Sequence, residues 1–333
     1  GMQESETWAF LGIPFATPPV GDLRWKPPLE HECWDGVRSA VDYPEPCPQM
    51  EFPDEGDPYA IGQEDCLYLN LWTPVERADD ELLPVMVFIH GGGNVAGSTS
   101  QFASGVRLYD GHILAERGGV VVVTTQYRLG PLGFLAHSTL DAESPQGVSG
   151  NYALLDQMQA LRWVRDNVEA FGGDPDRVML FGESGGALDT CLLVASPLAA
   201  GLFSRALIES GGCAAALPAE THERAEELIE ETGCFTEADV LDCLRQQDPS
   251  FLVSFNESPF AGGVVASQYR ANIDGWVLPE APLDLIESGA HNDFPLIVGT
   301  NRDETAIVIP PGTVTPALFE LFLRLYLSGD DLD

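Results

Sequence analysis

The chain reads as an α/β fold, a mostly parallel, twisted central sheet with helices on both faces. Three observations predict it. Runs of strand character recur at 67–73, 85–89, 120–125, 178–181, 206–209 and 295–298, with helical stretches between several of them. The runs at 84–89 and 177–181 are continuously apolar, as strands buried in a sheet require. The 152–170 stretch carries a helical stripe of Leu154, Leu155, Met158, Leu161, Trp163, Val164 and Val168, with Arg162, Arg165 and Asp166 outside it.

Taken in order, the strand at 85–89 runs straight into His90-Gly91-Gly92-Gly93. Val120 to Val123 gives a third apolar core run, and the long helix follows at 152–170. The turn Gly172-Gly173-Asp174-Pro175 then opens the strand that ends at Phe181. After Gly182-Glu183-Ser184-Gly185-Gly186, a helix-compatible run from Ala187 to Ala195 is closed by Ser196-Pro197. An acidic helix is expected over 220–231, its charges forming a solvated face, and 44–58 reads as a Pro-rich acidic surface loop. No linker, repeat or low-complexity tract divides the 333 residues, so a single domain over 1–333 is expected.

Two motifs carry chemistry. Residues 182–186 match G-x-S-x-G at a strand-to-helix handover, where a sharp turn holds a serine with its oxygen exposed. Taken alone, a Gly-rich turn with a capping serine explains the same five residues equally well. The tri-glycine after His90 can turn N–H groups toward a tetrahedral oxyanion, the donors then being Gly92, Gly93 and Gly185. A phosphate cradle needs a following Lys-Ser or Lys-Thr, and the chain has one lysine, Lys26. His90, inside the loop motif, reads as a structural support.

With these motifs the chain resembles the type-B carboxylesterases, which include cholinesterases and bacterial para-nitrobenzyl esterases. The similarity extends over nearly the whole length, through Phe10-Leu11-Gly12-Ile13-Pro14-Phe15-Ala16, Leu23-Arg24-Trp25, Glu64-Asp65-Cys66-Leu67, Tyr127-Arg128-Leu129-Gly130, Asp156-Gln157 and Gly299-Thr300-Asn301-Arg302-Asp303-Glu304. The resemblance implies an α/β-hydrolase fold, C-terminally incomplete, and serine esterase chemistry on a small-molecule carboxylic ester with no cofactor. It implies Ser184 as nucleophile and Glu304 as the acid of a Ser-Glu-His triad. On spacing alone, Asp303 and Glu304 are ordinary acids at a helix start. Glu183 is expected to be a buried structural carboxylate. Asp189 departs from the small hydroxyl residue common at its place in the family, and a carboxylate there is expected to influence the pH dependence.

The triad histidine is where the sequence departs from the pattern. The six histidines are His31, His90, His112, His137, His222 and His291, and none follows Glu304. His291 reads as a surface loop residue. Removing the histidine from such a triad costs about 10⁶ in turnover, so the chain by itself is expected to be nearly inert. A second polypeptide supplying the histidine, a cleaved or truncated piece, or a shortened gene product each account for this. Gly1-Met2 reads as a tag-removal scar, and most of the family's first small hairpin is expected to be lacking. The rival reading is a catalytically silent, cholinesterase-like adhesion module, though such proteins usually lose the serine.

The formal net charge of −36, from 52 acidic and 16 basic residues, argues against nucleic acid or anionic membranes as partners. No apolar run approaches the ~20 residues that span a bilayer. Of seven cysteines, the resemblance implies disulfides Cys47/Cys66 and Cys234/Cys243, which point to secretion; reduced thiols in a cytoplasmic protein are the alternative. Cys191 is expected in the core, Cys33 and Cys213 are unassigned, and no spacing resembles a zinc site. Trp25 and Phe102 are candidates to line a substrate gorge, with core packing the more common role of such aromatics.

Overall fold

The computed structural model describes residues 1–53, 56–76, 82–103, 105–256 and 268–304. Its strands are β1 Met2–Glu4, β2 Thr7–Pro14, β3 Gln49–Glu51, β4 Tyr59–Ile61, β5 Tyr68–Pro74, β6 Leu83–Ile89, β7 Phe102–Ala103, β8 Val106–Arg107, β9 Val121–Thr125, β10 Gly173–Glu183, β11 Arg205–Glu209 and β12 Leu296–Gly299. The helices are α1 His112–Gly118, α2 Gly130–Phe134, α3 Ser138–Glu143, α4 Tyr152–Asn167, α5 Gly185–Ala195, α6 Pro218–Glu231, α7 Val240–Gln246, α8 Pro249–Val253 and α9 Pro282–Glu287.

Eight strands form one sheet in the order β1-β2-β5-β9-β6-β10-β11-β12. From β9 onward every pairing is parallel, while β1, β2 and β5 are antiparallel to their neighbours. This is the mostly parallel sheet of an α/β-hydrolase fold. β9 is buried along its whole length, which suits the apolar run Val121 to Val123, and Thr124 and Thr125 complete it as small buried polar residues. β10 lies between β6 and β11, with Gly182 level with both Ile89 and Ile208. The carboxyl ends of β6, β10 and β11 therefore finish side by side, where ligand sites form in such sheets.

All six expected strands are present, with three differences in detail. The expected turn at 172–175 is the bulged start of β10, where Gly173 pairs with Leu83 and regular pairing resumes at Val178. Asp174 organises that bulge by accepting bonds from the Asp176 amide and the Arg177 guanidinium at 2.9 and 2.6 Å. The long helix stops at Asn167 and tightens into a 3₁₀ turn over Val168–Phe171, which Gly172 closes in the left-handed region at φ 86°. A hairpin of β1 and β2, not among the expected strands, opens the chain.

Two buried ion pairs explain motifs that periodicity does not. Arg24 grips Glu64 bidentately at 2.6 and 2.7 Å and donates to the carbonyls of Leu244 and Gln247, tying the 23–25 motif to the segment before β5 and the end of α7. Arg128 grips Asp156 bidentately, linking the 127–130 motif to α4. Each guanidinium fork satisfies the carboxylate it desolvates. Trp25 is buried with its indole bonded to the Pro131 carbonyl, so it packs as expected, whereas Phe102 is exposed.

Three disulfides join described residues: Cys47–Cys66, Cys191–Cys213 and Cys234–Cys243. The first and third match the expectation. The second gives Cys191 a partner rather than a simple core role, and it ties α5 to the loop after β11. Cys33 is free and exposed. The 44–58 segment, apart from Asp54 and Glu55, which lie outside the described residues, is anchored rather than a free surface loop. Its Cys47 is buried in the disulfide, and Gln49 to Glu51 pair with β4. No described helix is long and apolar enough to cross a membrane.

Candidate active site

Ser184 sits between β10 and α5 with φ 55° and ψ −117°, a conformation that costs an L-residue energy. The turn is held from outside by a bond from the Ser184 amide to the Glu209 carbonyl at 2.9 Å, and from inside by the Leu188 amide to the Ser184 carbonyl at 3.0 Å. Its hydroxyl has no hydrogen-bond partner among the described residues. Gly185 starts α5, so its N–H is among those the helix leaves unpaired and carries the positive end of the dipole.

The loop after β6 comes to meet this turn. Gly92 has φ 108°, and a Cβ there would lie 2.1 Å from the Ala96 carbonyl oxygen, so only glycine fits the bend. A Cβ on Gly185 would lie 2.9 Å from the Gly93 nitrogen, so the two backbones touch. The N–H groups of Gly92 and Gly93 donate to no described group. The loop after β6 and the start of α5 therefore meet next to Ser184, where a Cβ on Gly91 would lie 3.1 Å from the Ser184 Cβ.

The loop is braced by groups that the sequence did not single out. Gln49 makes two bonds to the backbone of Gly97, at 2.8 and 2.9 Å. Asn94, at φ 63° and almost wholly buried, accepts the Gly130 amide on its carbonyl and the Tyr127 hydroxyl on Oδ1. Its Nδ2 donates to Asp189 Oδ1 at 2.7 Å. Asp189 is fully buried, and burial pushes its carboxyl up to about 7 against the opposing bonds from Gln157 and Asn94.

His90 is a structural residue in this frame. It is buried, stacks on Tyr127 with centroids 4.5 Å apart, and lies 2.9 Å through Nδ1 from the Gly91 carbonyl. Burial lowers its pKa to about 4, which keeps the ring neutral. Glu183, the last residue of β10, is exposed, not buried as expected. Partial desolvation against Gly91, then the charges of Glu304 and Glu209, raise its carboxyl.

Glu304 follows β12 and is exposed, with its carboxyl lowered by hydrogen bonds from Ser210 and from the Asn301 backbone. The Asn301 amide donates to Oε1 at 2.5 Å, and Asn301 Nδ2 reaches the Ser210 hydroxyl at 3.1 Å. Ser210, also left-handed at φ 55°, directly follows the Glu209 carbonyl that holds Ser184. The loops after β11 and β12 therefore fix Glu304 relative to the serine turn, and no motif in the sequence signalled Ser210.

No imidazole bonds Ser184 among the described residues, which include all six histidines. His112 pairs with Asp110, His137 with Glu226, and His222 with Asp141. His31 contacts the Glu32 carbonyl. His291 precedes β12, and its neighbour Asn292 bonds the carbonyls of Leu193, Val194 and Ser196 at the far end of α5. Ser184 caps the opposite end of that helix, about 16 Å away at 1.5 Å per residue.

Comparison with known proteins gives a consistent picture. The model of the carboxylesterase family matches residues 1–319. The chain is 43% identical to fumonisin B1 esterase from Sphingopyxis macrogoltabida, covering 99% of this chain and 59% of that protein. It is 40% identical to carboxylesterase 1C from Mus musculus, over 92% of this chain and 55% of that protein. A solved PNB esterase superposes with a TM-score of 0.83 at 36% identity, over 98% of this chain and 66% of that one. The chain thus spans little more than half the length of these curated relatives.

Proposed function

The chain belongs to the carboxylesterase family, and on that premise we propose that it hydrolyses small-molecule carboxylic esters through an acyl-enzyme on Ser184. The Ser184 oxygen attacks the ester carbonyl carbon while its proton passes to an imidazole. The carbonyl oxygen becomes an oxyanion held by the N–H groups of Gly92, Gly93 and Gly185. The tetrahedral intermediate collapses, and the imidazolium returns the proton to the departing alcohol. Water then attacks the acyl-enzyme by the same route and releases the acid and the free serine. Glu304 orients the imidazole and stabilises its cation. The observation that carries the reading is Ser184 strained at the start of α5 beside two free loop amides.

The six histidines are engaged elsewhere or remote, so the general base comes from polypeptide outside these 333 residues, whether on a longer form of the chain or on a second one. The three disulfides support an oxidising compartment, hence secretion. The test is labelling by a fluorophosphonate probe with mapping of the adduct by mass spectrometry, alongside para-nitrophenyl butyrate hydrolysis. Modification of Ser184 when the histidine-bearing segment is supplied supports the reading. Absence of modification with that segment present refutes it and favours a silent binding module.

A further inference from the structure

The oxyanion donors come from two elements that share no strand pairing at that point. Gly92 and Gly93 lie on the loop after β6, and Gly185 starts α5. Their spacing has to be fixed to a few tenths of an ångström for the donors to converge on one oxygen. Among the described residues, one side-chain hydrogen bond spans the two, from Asn94 Nδ2 to Asp189 Oδ1 at 2.7 Å. Asn94 immediately follows Gly93, and Asp189 lies in the second turn of the helix that Ser184 caps.

We propose that Asp189 is a positioning residue for the oxyanion donors, stapling the Gly92–Gly93 loop to α5 through Asn94. This rests on the reading of Gly92, Gly93 and Gly185 as those donors. Both partners are sealed from solvent, and Asn94 is held at three further points: its carbonyl by Gly130, its Oδ1 by Tyr127, and its own backbone by the left-handed turn. The loop can therefore shift relative to α5 only by breaking a buried bond. The other carboxylate oxygen accepts Gln157 Nε2 at 2.6 Å, so α4 fixes Asp189 from behind. Among the described residues no cation neutralises Asp189; the groups facing it are the amides of Asn94 and Gln157 and the phenol of Tyr127. A buried carboxylate kept without a counter-charge is costly, and apolar packing at this site costs less. What the carboxylate adds is two directed acceptors at fixed positions.

Gln157 Oε1 is buried with no partner among the described residues. An asparagine at 189 can accept Asn94 on its oxygen and donate to that Oε1 after the Gln157 amide turns over. It therefore keeps the staple without the charge, whereas alanine removes it.

The experiment uses the complete esterase, this chain together with the histidine-bearing segment, and measures kcat and KM for para-nitrophenyl butyrate per active site titrated with fluorophosphonate. Titration removes misfolded molecules from the count. Asp189→Ala is expected to lower kcat by about 10- to 100-fold with KM within about twofold, since the interaction acts on the transition state. Asp189→Asn is expected to restore kcat to within about threefold of the parent. Asn94→Gly, which tolerates the left-handed turn, is expected to match the Asp189→Ala loss, and the double variant to lose no more than either. An unchanged kcat per titrated site in Asp189→Ala, or an equal loss in Asp189→Asn, overturns the staple while leaving the esterase reading intact. An inactive, unlabelled parent overturns the esterase reading itself, and the staple with it.

Discussion

The Ser184 amide donates to the Glu209 carbonyl across 2.9 Å, so the Ser184 turn is held by the strand that also delivers Ser210 to Glu304. That bond keeps a serine at φ 55° where glycine is the relaxed residue. Such strain costs about 1–3 kcal/mol, and part of it is returned when the Cβ is removed. Ser184→Gly is therefore expected to raise the free energy of unfolding in urea by about 1 kcal/mol while abolishing fluorophosphonate labelling. A destabilised Ser184→Gly protein contradicts the strained turn.

The Cys191–Cys213 bridge closes a loop of 22 residues between α5 and the segment after β11. In the chain-entropy model a loop of that size contributes about 3 kcal/mol. Thiol titration of the denatured, unreduced protein is expected to count one thiol, Cys33, of the seven cysteines. A count of three means that one bridge is open, and mapping the alkylated cysteines to Cys191 and Cys213 would identify it as this one. Cys213→Ala is expected to lower the unfolding free energy by about the amount the loop contributes.

Stability should depend on pH through Asp189. Its carboxyl titrates near 3.9 in an unfolded chain and is pushed up to about 7 in the fold, so between those values the native state holds the extra proton. Stability relative to Asp189→Asn is then fully present below about pH 4, falls as pH rises, and levels off above about 7, a total on the order of 4 kcal/mol. Urea unfolding of both proteins at pH 5 and pH 8 checks it. A difference between them that stays constant across that range contradicts the buried, uncompensated carboxylate.

The site was legible where chemistry is local. The candidates Ser184, Gly92, Gly93 and Gly185 were read from two short motifs in strand-to-turn context, and the close backbone approach at Gly92 and Gly185 demands glycine there. Glu304 was reached only through family resemblance, since a carboxylate ahead of a helix has an ordinary electrostatic reason to be there. The Asn94–Asp189 bond spans 95 positions and the Cys191–Cys213 bridge joins a helix to a loop after the next strand, so no periodicity carries either. Glu183 was misjudged because β10 ends at this residue, where strand burial gives way to exposure. The strands were found almost to the residue where both faces are covered, as in β9, and missed where the pattern alternates, as in β2, whose burial switches at nearly every position.

The central claim is that the nucleophile and oxyanion cradle lie within these 333 residues and the proton acceptor does not. The most direct measurement is kcat for para-nitrophenyl butyrate on the purified 333-residue chain, alone and with the histidine-bearing segment supplied. The account predicts turnover lower by about 10⁶ for the chain alone, with activity appearing when the segment is added. Undiminished turnover by the chain alone, abolished by Ser184→Ala, contradicts it.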